Sequence, residues 1–559
     1  MASTLPKLPI LDAISRHDPQ SIAIAHHPSG RKFTYQSLLG DVAQGKARLR
    51  QTANGASVEG QRIAFLVENG YDYVVTLLSI LASHAIALPL CPTFPAHELR
   101  YILNNSEATL LLSSTKFQSK ALELLKDGLD RKPTIGMVEK RMGVSHDGSV
   151  VDFEGGRQEG RGGVLLPQSA ITAQCQSLMK AWNYSPKDRL LHVLPLHHIH
   201  GLINALMTPL FAGSSVEFMF PFNANSVWER LGAPFLPQQD HNRQPRERVT
   251  FLTVVPTIYN RLLSTHTDLP SPLHNATKEA LAPRNLRLNI SGSAALPTPT
   301  KAAWTDLSGG NALLERYGMT EVGMALSCGL DFNDRVDGSV GWPLPSVEAR
   351  LVDTETGQVI ASGDDLDRNG REREGEIQLR GPTVFKEYWR NPKATAEEFV
   401  DAGDGKGKWF KTGDVAVRRE DPGAGQSGQE WAKGPMYFIK GRKSVDIIKT
   451  GGEKVSALEI ERELLSLPQI AEVAVVGLPS DAWGQKVAAV VVLDPAHAES
   501  GKGKKKWGAM DMRRALRDRL ANYKIPQELK IMDDALPRNA MGKINKKSLI
   551  KEVFGDKAA

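Results

Sequence analysis

The chain has 559 residues, of which 41% are hydrophobic and 24% charged, and its formal net charge is +6. This length exceeds what one hydrophobic core serves, so we expect a large domain and at least one smaller one. The small positive charge gives no reason to expect a nucleic-acid partner, and it is compatible with an anionic substrate.

The cysteines and the two chain ends indicate which cellular compartment to expect. Cys91, Cys175 and Cys328 are far apart and form no CxxC pair, which argues against a disulfide framework and favours a reducing compartment. No apolar run reaches the roughly 18 residues of a membrane span. The N-terminus lacks the apolar stretch of a signal peptide, and the final GDKAA is no peroxisomal address. We expect a cytosolic protein, with mitochondria as the open alternative and the oligomeric state undetermined.

Predicted strands and helices alternate from the start of the chain. Residues 62–67 (RIAFLV) read as a buried strand, residues 71–87 as a long apolar helix and residues 87–90 as the next strand. Further short apolar runs, separated by helical stretches, lie at residues 109–112, 216–220, 250–255 and 286–290. This alternation predicts an α/β fold with a mostly parallel sheet.

Three segments have the composition of loops or insertions. Residues 144–163 are rich in Gly and charge, residues 234–248 are dense in Pro, Gln and Arg, and residues 420–434 lie between two strand-like segments. We expect limited proteolysis to cut within residues 420–434 or at the hinge described next.

The pattern changes near residue 441 to that of a compact α+β module. The sequence predicts a helix at residues 457–467 and strands at residues 473–477 and 487–493, followed by a basic loop, a helix and a tail. We therefore predict a large multi-layer α/β N-terminal domain, residues 1–441, and a smaller mobile α+β C-terminal domain, residues 442–559, with a hinge at residues 441–444.

The strongest local signal is ERYGMTE at residues 315–321. A nucleotide site needs an aromatic ring for the base, a tight turn, a hydroxyl near the phosphates and a carboxylate for magnesium. Tyr317, Gly318, Thr320 and Glu321 supply these within five residues. The alternative interpretation is a helix start after a turn, with Thr320 as its cap.

Four further motifs are weaker when taken alone. SGSAALP at residues 291–297 follows a strand, where small residues let a ligand approach the backbone. KTGD ends at Asp414, whose carboxylate suits the two hydroxyls of a ribose. Residues 441–455 (GRKSVDIIKTGGEKV) and 537–543 (PRNAMGK) place basic side chains beside glycines, as phosphate contacts require. Taken alone, SGSAALP is shared by many strand–turn–helix units, and the other three motifs are more typical of ordinary turns.

In order and spacing, the five motifs together resemble the superfamily of adenylate-forming enzymes, which includes acyl-CoA synthetases, peptide-synthetase adenylation domains and luciferases. The resemblance covers nearly the whole chain, from FTYQSLL at residue 33 to the terminal lysine region. It is most specific to malonyl-CoA synthetases in the segments LHVLPLHHIHGLINAL, VVPTIYNRLL, SGSAALP, LLERYGMTEVGMAL and VDIIKTGGEKVSALEIE.

The resemblance implies a two-step reaction of a small carboxylic acid with ATP, Mg²⁺ and coenzyme A. The acid attacks the α-phosphate of ATP to give acyl-AMP and pyrophosphate; the small domain then rotates, and the coenzyme A thiol displaces AMP. By position, the resemblance assigns the nucleotide to Ser293, Tyr317, Gly318, Asp414 and Arg442, magnesium to Glu321, a phosphate oxygen to Thr320, the carboxylate and α-phosphate to Lys543, and coenzyme A to Gly451 and Gly452.

Malonate differs from a fatty acid by a second carboxylate, which is costly to bury unpaired. The planar fork of an arginine binds such a group bidentately. Arg261, one turn into the helix after VVPT, resembles the malonate-binding arginine of this branch, and Arg287 is a second candidate. For both, a surface arginine is the alternative. The resemblance also assigns His198 and Met319 to the acyl pocket, which we prefer to a zinc site because the nearby histidines lack zinc-site spacing.

The sequence departs from the family at the phosphate loop. The family pattern YTSGTTGxPKG precedes the segment that here reads VLLPQSAITAQ, and its glycines, hydroxyls and lysine hold the β- and γ-phosphates. Here residues 154–163 read EGGRQEGRGG, without Ser, Thr or Lys and without the preceding strand. Because the flanking sequence resumes in register, we interpret this as a clean loss of the loop, which puts activity in doubt.

Other function classes stay open. One is a medium- or long-chain fatty acyl-CoA synthetase, another is a non-catalytic relative that binds nucleotide or coenzyme A, and a third is a structural or partner-binding protein that kept the fold. Retention of Lys543, Glu321 and Asp414 argues against long neutral decay. An omission in the transcript or gene model would explain both the intact motifs and the lost loop, and cDNA across the codons for residues 162–166 would test it.

Overall fold

The structure is a computed structural model that describes residues 4–142, 153–154, 164–237, 247–501, 503, 505–538 and 544–555. Its strands are β1 (Leu5–Pro6), β2 (Ile22–His26), β3 (Arg31–Thr34), β4 (Arg62–Leu66), β5 (Ile86–Pro89), β6 (Leu110–Ser114), β7 (Thr134–Val138), β8 (Phe153–Glu154), β9 (Arg189–His192), β10 (Ser215–Phe218), β11 (Phe251–Val254), β12 (Leu288–Gly292), β13 (Leu314–Met319), β14 (Gly323–Ser327), β15 (Trp342–Pro343), β16 (Glu348–Asp353), β17 (Val359–Ile360), β18 (Gly375–Arg380), β19 (Phe399–Asp401), β20 (Lys408–Arg419), β21 (Met436–Arg442), β22 (Ile447–Thr450), β23 (Glu453–Ser456), β24 (Ile470–Ser480), β25 (Gly484–Leu493) and β26 (Glu528–Met532).

The α-helices are α1 (Pro9–Ser15), α2 (Tyr35–Thr52), α3 (Tyr71–Ala82), α4 (Ala96–Ser106), α5 (Gln118–Leu124), α6 (Gln168–Trp182), α7 (Thr208–Ala212), α8 (Ala224–Gly232), α9 (Pro256–His266), α10 (Ser271–Leu281), α11 (Thr298–Leu307), α12 (Pro392–Glu398), α13 (Ala457–Leu465), α14 (Ala509–Leu516) and α15 (Lys546–Phe554). A π-helix spans His200–Met207, and short 3₁₀ helices lie at His27–Ser29, Thr115–Phe117, Ala233–Phe235, Phe332–Asp334 and Asn522–Lys524.

The largest sheet has the strand order β15-β14-β13-β12-β11-β9-β10-β2-β3. Its centre, from β13 to β2, is parallel, and antiparallel strands lie at both edges. The prediction of a mostly parallel sheet is therefore confirmed. The carboxyl ends of β11, β12 and β13 lie together at one edge of this sheet, which is where open α/β sheets bind ligands.

Two smaller sheets complete the large part of the chain. One is parallel, with the order β5-β4-β6-β7. The other is antiparallel, with the order β17-β16-β18-β20-β19 and β21 paired with β20. This antiparallel sheet carries KTGD on β20 and meets the end of β13, so it brings two sequence motifs together.

The C-terminal part has a sheet of its own, ordered β23-β22-β25-β24 with β26 paired with β25. Two hydrophobic clusters on this sheet draw all of their described members from residue 448 onward. The predicted fold class, a large α/β part with a smaller α+β part, is confirmed. The exact boundary between residues 441 and 442 stays a prediction.

Two expectations about local structure change. The helix predicted to end at residue 87 ends at Ala82, because Ser83 caps it and His84 adopts a left-handed conformation with φ 52°. Residues 420–434 contain no helix or strand, as predicted, yet they are packed: Ala424 and Ala432 belong to the hydrophobic core. We therefore no longer expect a protease to cut there readily.

All three cysteines are buried as free thiols. Burial raises the pKa of Cys175 and of Cys328 to about 12. Among the described residues, no helix is long and apolar enough to cross a membrane.

Candidate nucleotide and acyl site

Three predicted nucleotide residues meet where the large parallel sheet touches the antiparallel one. Tyr317 donates its hydroxyl to Asp414 Oδ2 at 2.6 Å, and Arg442 Nε donates to Asp414 Oδ1 at 3.1 Å. Asp414 and Arg442 are register partners in β20 and β21, so strand pairing fixes their approach. Burial, with the neighbouring Asp414 carboxylate, raises the pKa of Tyr317 and keeps it a donor. The carboxylate oxygens retain acceptor capacity for ribose hydroxyls.

The turn between β13 and β14 carries Thr320 and Glu321. Only glycine fits at position 318, because a Cβ there would overlap the carbonyl oxygen of Gly323. Thr320 is exposed and Glu321 is half-buried. Glu321 Oε1 accepts a hydrogen bond from Tyr388 Oη at 3.0 Å, and the second carboxylate oxygen, Oε2, has no partner among the described residues and is placed to bind a cation. One carboxylate together with substrate phosphates is a usual magnesium ligand set, so these residues fit the predicted ion.

A second polar cluster lies at the carboxyl ends of β11 and β12. Buried His200 approaches Thr253 Oγ1 with its Nε2 at 2.7 Å and Ser293 Oγ with its Nδ1 at 3.4 Å. Burial, followed by the nearby Arg316 charge, lowers the pKa of His200 well below its usual value, so the imidazole is neutral. Within the described residues, no group of three His, Cys, Asp or Glu is placed to hold a metal.

Arg316 on β13 is the unusual member of this cluster. Its side chain lies against Gly292, where a Cβ would collide with the guanidinium, and its Nη2 donates to Ser293 Oγ at 3.3 Å. Its Nε is buried without a hydrogen-bond partner, and the described residues place no carboxylate within ion-pair distance of it. Burial alone lowers the pKa of Arg316 to about 9, so the group is charged at neutral pH. A buried, unpaired guanidinium is costly unless a ligand supplies the anion.

The predicted acyl residues are spread more widely. His198 precedes the π-helix, and its ring centroid lies 4.3 Å from that of His197. Met319 ends β13 and packs partly buried against the core of the antiparallel sheet. Arg261 on α9 is exposed, with its guanidinium 4.9 Å from the Phe222 ring centroid. An exposed arginine on an aromatic face is free to reorient, but it is not pre-organised for a carboxylate.

Arg287 is fully engaged elsewhere. It forms a bidentate pair with Asp188, with both N–O distances 2.8 Å, and donates to the carbonyls of Trp182 and Asn183. It precedes β12, so about 20 Å of extended chain separates it from Ser293 at the other end of the strand. These contacts favour a structural role for Arg287 over the binding of malonate.

The predicted coenzyme A residues form a hairpin turn. Gly451 and Gly452 both have positive φ, 58° and 85°, as the two-residue turn between β22 and β23 requires. Gly451 N–H donates to the Trp483 carbonyl at 2.9 Å, and the Trp483 ring, 55% exposed, lies beside Gly451.

Lys543 and nearly all of residues 154–163 lie outside the described residues, so their predicted roles stay predictions. The residues on either side of Lys543 are described: Arg538 and Ile544 form an isolated antiparallel bridge, and Arg538 Nη2 donates to Glu472 Oε2 at 2.8 Å.

Sequence reasoning missed Arg316 and Trp483. Arg316 lies within ERYGMTE. The sequence feature that could have indicated it is a charged residue in a strand that also contains or adjoins the apolar residues Leu313, Leu314 and Met319. Trp483 lies in a turn. From the sequence alone, an exposed tryptophan in a turn cannot be distinguished from one that is buried in the core.

Two family models match this chain. The sequence profile of the AMP-binding enzymes matches residues 11–154 and 162–389, and that of the AMP-binding enzyme C-terminal domain matches residues 459–543. The chain therefore belongs to the AMP-binding enzyme family, and the predicted membership of the adenylate-forming superfamily is confirmed.

Individual relatives indicate which branch of the family this chain resembles. A CoA ligase of Gibberella moniliformis is 55% identical over 593 positions, covering 100% of this chain and 96% of the relative. The mitochondrial malonate–CoA ligase ACSF3 of Mus musculus is 36% identical, covering 94% of this chain and 87% of its own. ATP-bound MatB from Rhodopseudomonas palustris is 29% identical, with a TM-score of 0.75 and complete coverage of both chains. The predicted resemblance to malonyl-CoA synthetases is confirmed.

Proposed function

We propose that this chain is an acid–CoA ligase that forms malonyl-CoA, or methylmalonyl-CoA, through an acyl-adenylate, with AMP and pyrophosphate as products. The enzyme class, acid–thiol ligase, is that of its named relatives. The observation that carries the choice of acid is Arg316, a buried charge beside Ser293 and His200 to which no described residue supplies an anion.

The acid specificity follows from charge balance. The second carboxylate of malonate would pair with the free edge of the Arg316 guanidinium and satisfy its buried Nε. A fatty acid offers only methylene groups there, so the charge would stay unpaired. Neutral His200 and the Ser293 hydroxyl would bind without adding charge. Exposed Arg261 would contribute by swinging inward from Phe222.

The remaining predicted roles fit this chemistry as proposals. Asp414 and Arg442 would hold the ribose, Tyr317 would pack on adenine, and Thr320 would contact a phosphate oxygen. Magnesium on Glu321 would neutralise phosphate charge during adenylate formation. In the second step, the turn at Gly451 and Gly452 would approach the pantetheine arm, and Trp483 offers an exposed face beside it.

The specificity proposal is testable without ATP. Non-hydrolysable sulfamate analogues of malonyl-, butanoyl- and octanoyl-adenylate differ mainly in the acyl group, and they need no phosphate loop. We expect calorimetry to show the malonyl analogue binding at least tenfold more tightly than the uncharged butanoyl analogue, as a buried charge pair predicts. Arg316→Met should remove that difference and leave butanoyl affinity unchanged.

The opposite result would favour the fatty-acyl alternative: the octanoyl analogue binds best, and Arg316→Met changes nothing. Failure of all three analogues to bind would favour the non-catalytic or structural alternatives.

The phosphate loop decides whether the chain turns over. We infer that it is missing, because the family profile breaks at residues 155–161 and the Gibberella relative aligns over more positions than this chain has residues. Losing one oriented donor typically costs about 2.7–4 kcal/mol of transition-state stabilisation, and a whole loop should cost more. As given, the chain should adenylate slowly or not at all.

Inserting a TSGTTGRPKG-type segment with its preceding strand between Gly163 and Val164 should raise pyrophosphate release with malonate and ATP by orders of magnitude. Equal, robust activity in both versions would mean that residues 154–163 supply a substitute phosphate site.

Lys543 is proposed to act in the first step only. In the loop-complete chain, Lys543→Ala should abolish adenylation while thioester formation from preformed malonyl-AMP continues. Equal loss of both half-reactions would contradict a lysine that leaves the site on rotation. Four malonate–CoA ligase relatives are named as mitochondrial, and we keep mitochondria beside the cytosol as candidate compartments.

A further inference from the structure

The hinge predicted at residues 441–444 is tied by hydrogen bonds to one acidic side chain. Asp446 Oδ2 accepts the Arg442 backbone N–H at 3.0 Å, and the Asp446 backbone N–H donates to the Arg442 carbonyl at 2.8 Å. Gly441 leaves room for this return of the chain, since a Cβ there would lie 2.5 Å from the Cβ of Asp446. The hinge is therefore a closed turn around Asp446 and not a free linker.

The other oxygen of Asp446 reaches a distant helix. Lys546, the first residue of α15, donates to Asp446 Oδ1 at 2.6 Å and lies 2.7 Å from Glu461 Oε1. All three side chains are at most 16% exposed. Glu461 on α13 also accepts the Val475 N–H at 2.7 Å, which ties the cluster to β24. Burial lowers the pKa of Lys546, but Glu461 and Asp446 outweigh it and raise the pKa, so the lysine is charged.

This cluster extends the nucleotide site. Arg442, held by Asp446 through its backbone, is the residue whose side chain binds Asp414. A continuous polar chain therefore runs from Asp414 through Arg442 and Asp446 to Lys546. Lys546 stands three residues after Lys543 in the sequence.

We propose that Lys546 is a positioning residue that fixes the hinge at Arg442 and Asp446 to α15, so that the hinge turn and α15 move as one body. The relevance of this link to catalysis rests on the proposed function, which assigns a role to Lys543, three residues before α15 in the sequence. The mechanical link itself rests only on the contacts above.

Lys546 binds two carboxylates, and replacing each of them in turn distinguishes a hinge role of Lys546 from a merely structural one. Asp446 belongs to the hinge, whereas Glu461 belongs to the module core. Asp446→Asn should loosen the hinge selectively. Glu461→Gln should loosen α13 and β24 while the bond between Lys546 and Asp446 persists.

Hydrogen exchange measured by mass spectrometry on the chain as it exists tests this, without substrate and independently of any activity. In Lys546→Met we expect the amides of residues 445–446 and of α15 to exchange at least tenfold faster, with those of β24 and β25 unchanged. Asp446→Asn should give the same acceleration at residues 445–446, and Lys546→Arg should restore most of the protection. The matched control is Lys547→Met, because Lys547 is the exposed neighbour in the same helix.

Uniformly faster exchange across the whole C-terminal module in Lys546→Met, with Asp446→Asn silent at the hinge, would overturn the proposal and leave Lys546 as a stabilising residue only. If Lys546→Met fails to fold, the Asp446→Asn and Glu461→Gln pair decides alone. Equal patterns in those two variants would refute the hinge link. Failure of the malonate proposal would not affect any of these outcomes.

Discussion

Arg287 and Arg316 lie near opposite ends of the same parallel strand pair, and their surroundings differ sharply. Arg287, at the start of β12, has Asp188 and two carbonyls as acceptors. Arg316 is paired in register with Gly292 at the end of β12. Within the described ranges it has one hydroxyl as acceptor, and its buried Nε has none. A protein that satisfies one arginine so completely and leaves the other unpaired marks the second as a place for a ligand anion.

The largest expected effect concerns stability. Arg287→Met leaves Asp188 buried without its counter-ion and should cost about 3 kcal/mol. Arg316→Met removes an unpaired charge and should be neutral or stabilising. Calorimetric denaturation temperatures at one scan rate will compare them. If Arg316→Met is the more destabilised variant, an unseen partner satisfies Arg316 and the contrast fails.

The next largest effect distinguishes the contribution of the Arg316 charge to ligand affinity from that of its planar geometry. Arg316→Lys keeps a cation but loses the planar fork, so the malonyl-adenylate analogue should bind about 1.5–3 kcal/mol more weakly. The butanoyl analogue serves as the control, since its affinity should not change. Full retention of malonyl affinity would mean that bidentate contact is not used.

A smaller effect is expected at Arg261. It is exposed and rests on Phe222, so Arg261→Met should weaken the malonyl analogue by less than about 1 kcal/mol. A loss as large as that from Arg316→Met, measured by the same titration, would show that Arg261 closes over the ligand and shares the second carboxylate.

The smallest expected effect is a flat pH profile. Burial and the Arg316 charge hold the pKa of His200 well below 6.5, and Arg316 stays protonated below about pH 9. Neither group titrates between pH 6 and 8, so the ratio of malonyl to butanoyl affinity should be constant there. A ratio that rises as the pH falls through 6.5 would mean that His200 gains a proton and helps bind the carboxylate.

Much of the candidate nucleotide site could be proposed from the sequence, because its residues follow strand ends. Tyr317 and Glu321 come from one contiguous motif, and their proximity to Asp414 follows from where strands meet. The charge environment of each arginine was not predictable. Arg287 was offered for malonate because it precedes SGSAALP, but its partner Asp188 lies 99 residues away in the chain.

The unpaired state of Arg316 could not be predicted from the sequence, for a related reason. Burial and lack of a partner are properties of the assembled cluster of β11, β12 and the π-helix, and no local pattern encodes them. The packing of residues 420–434 was missed likewise: their Gly-rich composition indicates a loop, while Gln429, which bonds Ala181 and Leu330, shows its fit only in three dimensions.

The burial of the cysteines determines whether the protein's own thiols can react with an activated acyl group. An acyl-adenylate is an electrophile that reacts with any thiolate within reach, and only the deprotonated sulfur is a strong nucleophile. With the thiols of Cys175 and Cys328 buried and their pKa values near 12, the protein offers no competitive thiolate from them at neutral pH. A chain built this way would lose little of its activated acyl group to its own sulfur and would leave it for an incoming thiol.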